Sequence, residues 1–527
     1  MKRRIAALLT AAALALSLAA CTQNPQSGKM NTGANTESGE KLFSEPTTIK
    51  LMVGSHPSWP YNENWIMWKL FQEKTGASFE INAVPSSDMG TKVNLLMTTP
   101  DQLPDMIFLI GDKATPNSHG PEGAFIAISD HLDQMPNYKK FWEGVPEKER
   151  QDSMLQRVSG DGKIYFPPNY GIQTVGNTRA WLYRKDIFEK HHLKTPETME
   201  EMYQTAKKLK ELYPDSYPIS MRSGFQNFNL IGSEWKPYFT MQPYYDYSDG
   251  TWHYGVVEPE MKEMVEYFRK LVAEGLIPPD FLTIATKSWE ELVITNRGFM
   301  MPEYLLRIDH FNLPARAENP EYTWAVMKPP RADTPTGQNK IANLAYELTG
   351  YVVCNTKDQK RIDNALKLLD WMYSPEGIEF QSWGEEGKTY EVVNGERKWL
   401  VEENGSPYGE LGMGTPGLYQ CVEFEANEAL YSEEQGEQGK IARPYQEERI
   451  SPFTVLGFAD DLIDERSDLF LAIDTYAQEM ISKFIMAQTP MSEWDAFQER
   501  IKSMGVDRLL ELYTEMYERI QETGIIQ

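Results

Sequence analysis

The run Gly412-Met413-Gly414-Thr415-Pro416-Gly417 has the spacing of a dinucleotide-binding turn, in which glycines let the backbone approach a pyrophosphate closely. Its surroundings fail that chemistry: no strand pattern leads in, and Pro416 interrupts the turn where a helix should open. Gly387-Lys388-Thr389 has the end of a phosphate-cradling loop, yet Ser382 stands where its first glycine should be. The chain holds neither G-x-S-x-G nor H-E-x-x-H, and its seven histidines are scattered. Carboxylates are so numerous, 77 in all, that no catalytic pair can be singled out. The expectation is therefore no enzyme, no metal and no cofactor.

Aromatic residues in loops are more informative. A sugar offers apolar C–H faces and a rim of hydroxyls, so its site needs flat aromatic platforms beside directional polar groups. Trp59-Pro60-Tyr61-Asn62-Glu63-Asn64 supplies both in a loop after a strand, with Trp59, Tyr61 and Asn64 as the candidates. Tyr170 lies in a proline-rich break and Tyr304 follows Gly298-Phe299-Met300-Met301. Asp112 directly follows the third strand, where a hydroxyl acceptor is expected. Arg222, Asn227 and Trp235 sit in a Gly/Asn-rich stretch, and Arg307 comes just after Tyr304. For each aromatic the competing role is core packing; for each polar residue it is a surface or interlobe contact.

The elements that must position these residues alternate between strand and helix. Ile49–Val53 alternates as a strand, Trp65–Lys74 is helical with Gly76 placed to stop it, and Phe79–Val84 is a second strand. A helix near Met89–Met97 precedes a buried strand over Pro104–Ile110. That order predicts a parallel α/β sheet with its ligand loops at Ser55–Asn64 and Gly111–Lys113. Asp161-Gly162 marks a hairpin, and Phe166-Pro167-Pro168-Asn169-Tyr170-Gly171 ends all regular structure and reads as a crossing between lobes. Ala180–Tyr183 starts a second unit, and Thr198 with Glu201 makes a capping box for a helix that stops before Pro214. Met327–Lys340 reads as a second crossing, and Asn394-Gly395 as a type I′ hairpin turn.

The run "GKIYFPPNYG...WLYRKDIFEKHHLKTPETMEEMYQTAKKLKELYPD" resembles the extracellular solute-binding proteins of bacterial ABC importers, family 1, the maltose-binding-like class. The likeness is nearest to their large lipoprotein and alginate-binding subgroup and extends over nearly the whole mature chain. Gly275-Leu276-Ile277-Pro278-Pro279-Asp280 resembles a turn of that family. The resemblance implies an α/β, two-lobed, type II periplasmic-binding-protein-like fold with a hinged interlobe cleft. It also implies that Trp59, Tyr61 and Asn64 form the subgroup's aromatic and acidic ligand loop, and that Tyr170 and Tyr304 face the ligand. The chain departs from the subgroup in two places. Pro214-Asp215-Ser216-Tyr217-Pro218 is too short and too poor in carboxylates for the calcium loop some members carry, and Ser58 stands where an acid-sugar binder would offer a cation.

Composition and the N-terminus bound the setting. At 527 residues the chain exceeds one core, and a net charge of -25 argues against a nucleic-acid partner. Met1-Lys2-Arg3-Arg4 and the apolar Ile5–Leu16 form a signal peptide, and Leu18-Ala19-Ala20-Cys21 resembles a lipobox that would place lipid on Cys21. The expected organisation is a signal peptide over 1–20, a tether over 21–47, a first lobe from 48–170 and 341–400, and a second from 171–340 and 401–527. Cys354 reads as a small core residue, with a disulfide to Cys421 left open. The expected function is a monomeric, lipid-anchored receptor at the extracytoplasmic face of the cell membrane. It would deliver an oligosaccharide, a neutral one by overall charge and Ser58, to an ABC permease. A peptide or other polar ligand, a surface glycosidase, and a sensing partner of a receptor kinase are the alternatives.

Overall fold

The computed structural model describes residues 41–522, apart from 58, 113, 148–149, 151–152, 155–156, 172–177, 247, 344–348, 403–404 and 449–459. The leader, Cys21 and most of the tether, together with Ser58 and Lys113, lie outside the described residues.

The strands in chain order are β1 (Thr47–Ser55), β2 (Ala77–Pro85), β3 (Met106–Ile110), β4 (Arg179–Arg184), β5 (Pro243–Asp246), β6 (Thr251–Tyr254) and β7 (Met300–Tyr304). They continue with β8 (Trp324–Met327), β9 (Ile341–Asn343), β10 (Thr349–Val353), β11 (Tyr390–Val393), β12 (Glu396–Trp399) and β13 (Gln446–Glu448). One sheet has the order β10-β3-β1-β2, with β1 parallel to both β2 and β3 and β10 antiparallel to β3. It is therefore mixed rather than wholly parallel. A second sheet, β7-β4-β8, is antiparallel throughout, and three two-stranded pairs complete the set among the described residues.

The first sheet is covered by amphipathic helices. Ile66–Thr75 buries Met67, Trp68, Leu70 and Phe71, and it ends where Gly76 takes a φ of 76° and donates its N–H to the Gln72 carbonyl. Any Cβ at Gly76 would meet the Phe43 carbonyl at 2.6 Å, so glycine is required there on two counts. Phe71 stacks on Phe79 of β2 at 4.4 Å, and its removal should cost about 3–5 kcal/mol. In the second lobe, Thr198 caps Met199–Leu212 by accepting from the Glu201 N–H. The Glu201 carboxylate accepts in return from Glu197, one residue before the cap, rather than from Thr198 itself. Asn394 and Gly395 both take positive φ, 55° and 87°, as the tight turn between β11 and β12 requires.

The two largest apolar clusters fit a two-lobed molecule, and they depart from two expected boundaries. Leu411, Met413, Leu418 and Cys421 pack with Leu51, Val53 and Phe108 in the first core, although 401–527 was expected in the second lobe. Ile341 and Ala342 pack in the second core, so the chain returns to the first lobe after Asn343 rather than over Met327–Lys340. Val158 and Ile164 touch the second core from the first lobe, where the Ile164 carbonyl accepts from the Ile128 N–H and the Ser159 hydroxyl donates to the Asn117 carbonyl. The reason for the late return is local: Arg331 bridges to Thr198, and the Ala332 N–H donates to the Glu234 carbonyl, pinning the proline-rich stretch onto the second lobe. Among the described residues the chain last leaves the first lobe between Cys421, in the first core, and Ser432, whose N–H donates to Asp309 in the second lobe. Cys354 and Cys421 are both buried free thiols, which closes the question of a disulfide between them.

Candidate functional site

Both lobes contribute to one cavity of about 370 Å³. From the first lobe come His56, Pro57 and Trp59 in the loop leaving β1, Ile110 at the end of β3, and the stretch containing Tyr408 and Met413–Pro416. The second lobe supplies Arg222, Tyr304, Arg307 and His310. Residues of the last crossing, among them Asn427 and Tyr431, close one side.

The first-lobe wall carries a pile of three stacked rings. His56 stacks on Trp59 at 4.9 Å and 25°, and Trp59 stacks on Tyr408 at 5.0 Å and 28°. The Tyr408 hydroxyl lies 3.0 Å from that of Tyr431, and burial pushes the Tyr408 phenol up to about 12, with Tyr431 opposing. The glycine-rich run rejected as a nucleotide turn builds the ground beneath this wall. Gly412, Gly414 and Gly417 have φ of 82°, 64° and 97°; a Cβ on Gly414 would strike the Tyr408 ring at 2.6 Å, and one on Gly417 would strike Val53 at 2.8 Å.

The second-lobe wall is ionic. Glu303 on β7 is 2% exposed and sits against Arg222, Nε to Oε1 being 2.6 Å, while Arg222 Nη2 donates to Oε2 at 3.0 Å. Arg307 Nε is 3.7 Å from the same carboxylate, and its Nη1 donates to Glu290 at 2.7 Å. Trp289 lies under both cations, 5.0 Å from the Arg222 guanidinium and 5.2 Å from that of Arg307. Burial by itself would raise the Glu303 carboxyl, but Arg222, Arg179 and Arg307 outweigh it and hold it below the ordinary range, so it is ionised. Arg179 also fixes Tyr304, its cross-strand neighbour, by donating to the phenol at 2.7 Å with its guanidinium 4.0 Å from the ring centre. His56 faces this cationic wall; burial first, then Arg307, His310 and Arg222, lower it to about 4, with Glu290 opposing, so at neutral pH the imidazole is uncharged.

Of the ten residues the sequence singles out, the cavity brings together Trp59, Arg222, Tyr304 and Arg307. Tyr61 packs edge-on against Trp65 and Trp68 at 6.1 and 6.2 Å. Asn64 is exposed in the turn before the first helix, and Asp112 accepts from the Thr115 N–H at 3.0 Å to start Ala114–His119. Tyr170 packs against Phe141 and Trp142 while its backbone pairs with Cys421. Asn227 is buried and its amide donates to the Arg222 carbonyl, behind the site rather than in it. Trp235, 2% exposed, is a core residue of the second lobe. Sequence reasoning missed His56, His310, Tyr408 and Tyr431. Tyr408 follows Ser406-Pro407 in a loop and meets the criterion that selected Trp59.

Among the described residues, Asp246, Asp249 and His253 could present three ligand atoms to a metal ion. They are already paired internally: His253 bonds Asp249 at 2.9 Å and Glu258 at 3.0 Å, and Lys236 lies 3.8 Å from Asp246.

Known proteins share this architecture. The chain is similar to Lipoprotein LipO of Bacillus subtilis, at 22% identity with 74% of this chain and 75% of that protein covered. It is also similar to the polygalacturonan/rhamnogalacturonan-binding protein YtcQ of Bacillus subtilis, at 21% identity over 86% of this chain and 88% of that one. The crystal structure of alginate-binding protein AlgQ2 without calcium ion superposes with a TM-score of 0.73 at 20% identity, covering 91% of this chain and 99% of that one, which shows the shared two-lobed fold. The family model of the bacterial extracellular solute-binding protein matches residues 63–379, and the chain belongs to that family.

Proposed function

We propose that this protein is the capture component of an ABC importer, binding an oligosaccharide between its lobes and handing it to the permease unchanged. The observation that carries the reading is the pairing of walls: the stacked His56, Trp59 and Tyr408 rings on one lobe and arginine donors on the other, across one cavity. Stacking rings suit the C–H faces of a pyranose, and guanidinium N–H groups suit its hydroxyl rim. No described residue lining the cavity carries a carboxylate, whereas glycoside hydrolysis as a rule uses two flanking the scissile bond. That favours capture over turnover. Each cleft arginine already has a carboxylate within 2.7 Å, so the wall offers donors more than net charge, which favours a neutral ligand.

A second reading, a uronate-bearing ligand, is favoured by the cations Arg307 and Arg222, which add to the effect of burial in lowering His56. The names of YtcQ and AlgQ2, which refer to polyuronates, support it too.

Lipid on Cys21, with the tether behind it, would hold the receptor at the outer face of the membrane beside its permease. No described helix is long and apolar enough to cross a membrane. Calorimetric titration with a panel of neutral and uronate-containing oligosaccharides, with product analysis by mass spectrometry, tests the reading. Binding without products is expected. Hydrolysis would replace it with the glycosidase, and silence to every glycan would replace it with a peptide receptor.

A further inference from the structure

Glu303 does not line the cavity, yet it touches what does. Its carboxylate accepts from Arg222 Nη2 and from the Tyr304 N–H at 3.1 Å, pairs with Arg222 Nε at 2.6 Å, and lies 3.7 Å from Arg307 Nε. It sits on β7 next to Tyr304, and Leu306–Ala315, the helix carrying Arg307, begins two residues beyond Tyr304. At 2% exposure it is beyond the reach of any ligand and of solvent screening. Glu290, the other carboxylate at Arg307, is 27% exposed and therefore screened by water. The charge that a ligand meets at Arg222 is thus set chiefly by this buried counter-ion, and at Arg307 by the same carboxylate together with Glu290.

We infer that Glu303 is a specificity-determining residue: as the hidden counter-ion of the two cleft arginines it makes the cleft read hydroxyls, and removing its charge turns the same cleft toward carboxylate-bearing oligosaccharides. The inference rests on the oligosaccharide reading above. A purely structural role for Glu303 would weaken all ligands together. The inferred role instead separates ligands that differ only in charge.

The test compares the wild-type protein with Glu303→Gln, which keeps an acceptor for Arg222 and removes the charge. The probes are trigalacturonate and its fully methyl-esterified form, titrated calorimetrically at low and high salt. The ratio of acid to ester affinity is expected to rise roughly ten-fold or more in the variant at low salt, and the gain should shrink at high salt. An unchanged ratio, parallel weakening of both probes, or no binding of either probe by either protein overturns the inference. Glu303→Met, which removes the charge at similar volume, decides the question by the same ratio if Glu303→Gln does not fold. The oligosaccharide reading fails separately, when the wild-type protein binds no member of the wider glycan panel.

Discussion

Trp59 and Tyr408 come from opposite ends of the first lobe's sequence and meet ring on ring, 5.0 Å apart and 28° from parallel. Nothing local to either residue aligns them: Trp59 leaves β1, whereas Tyr408 is held from behind by Tyr431 and by the bare Cα of Gly414. Both line the cavity and both keep part of their surface exposed, the Tyr408 hydroxyl being its buried end, so their truncation should cost ligand more than fold. Trp59→Ala and Tyr408→Ala are each expected to weaken oligosaccharide binding roughly ten-fold, about 1–3 kcal/mol, by analogy with base stacking. Calorimetry beside a melting curve checks this; a large fall in melting temperature with unchanged affinity would contradict it.

Trp235 should show the opposite pattern. Its indole is packed among Tyr267 and Phe268 in the second core, away from the cavity lining. Trp235→Ala is expected to lose about 3–5 kcal/mol of stability in denaturant unfolding. Under conditions where the variant is still folded, affinity should stay near the wild-type value, and a selective loss of binding would put Trp235 in the site after all.

His56 makes the cleft sensitive to acid. Its value is held near 4 in the folded molecule against an ordinary 6.5, so the folded site excludes a proton that the open or unfolded chain accepts. The associated stability is complete above 6.5 and is lost as the pH falls from there toward 4. Ligand affinity should decline over that window, and His56→Gln should flatten the decline. Imidazole NMR gives the direct check, and a midpoint near the ordinary histidine value would remove the basis for the effect.

Glu234 titrates in the other direction. It is wholly buried, one oxygen accepts from the Trp181 indole at 2.5 Å, and the other has no hydrogen-bond partner; burial raises it well above 4.5, with Trp181 opposing. The folded state therefore binds a proton that the unfolded chain releases, so its contribution is complete below 4.5 and falls as the pH rises. Glu234→Gln, which keeps the acceptor and needs no proton, should melt about 1–3 °C higher than wild type at neutral pH and gain little in acid. A larger gain in acid than at neutral pH would contradict the assignment.

The local signals were carried by single residues and survive in the structure because they need no distant partner. Thr198 caps its helix, Gly76 ends another, and Asn394-Gly395 turns a hairpin, each through its own backbone preference. The alternation of apolar residues in β1 and the continuous apolar run of β3 likewise announced strands. The resemblance carried in the Gly160–Pro214 stretch announced the family.

Where the chain crosses after the proline-rich break at Phe166–Gly171 was not legible, because it depends on which core receives Leu411–Cys421 and on the contacts that pin Arg331 and Ala332. The site was legible in part. A loop aromatic such as Trp59 can be nominated from its neighbours, but Tyr61 and Tyr170 have the same local credentials and were claimed by the rings beside them. Whether Arg222 is a surface cation or a cleft donor is decided by Glu303, which is far from it in sequence and reads locally as an ordinary strand residue. Backbone preference and apolar period are properties of a segment and can be read from it. Stacking, counter-ion pairing and the sharing of one cavity by two lobes belong to pairs of segments, and only tertiary packing chooses the pairs.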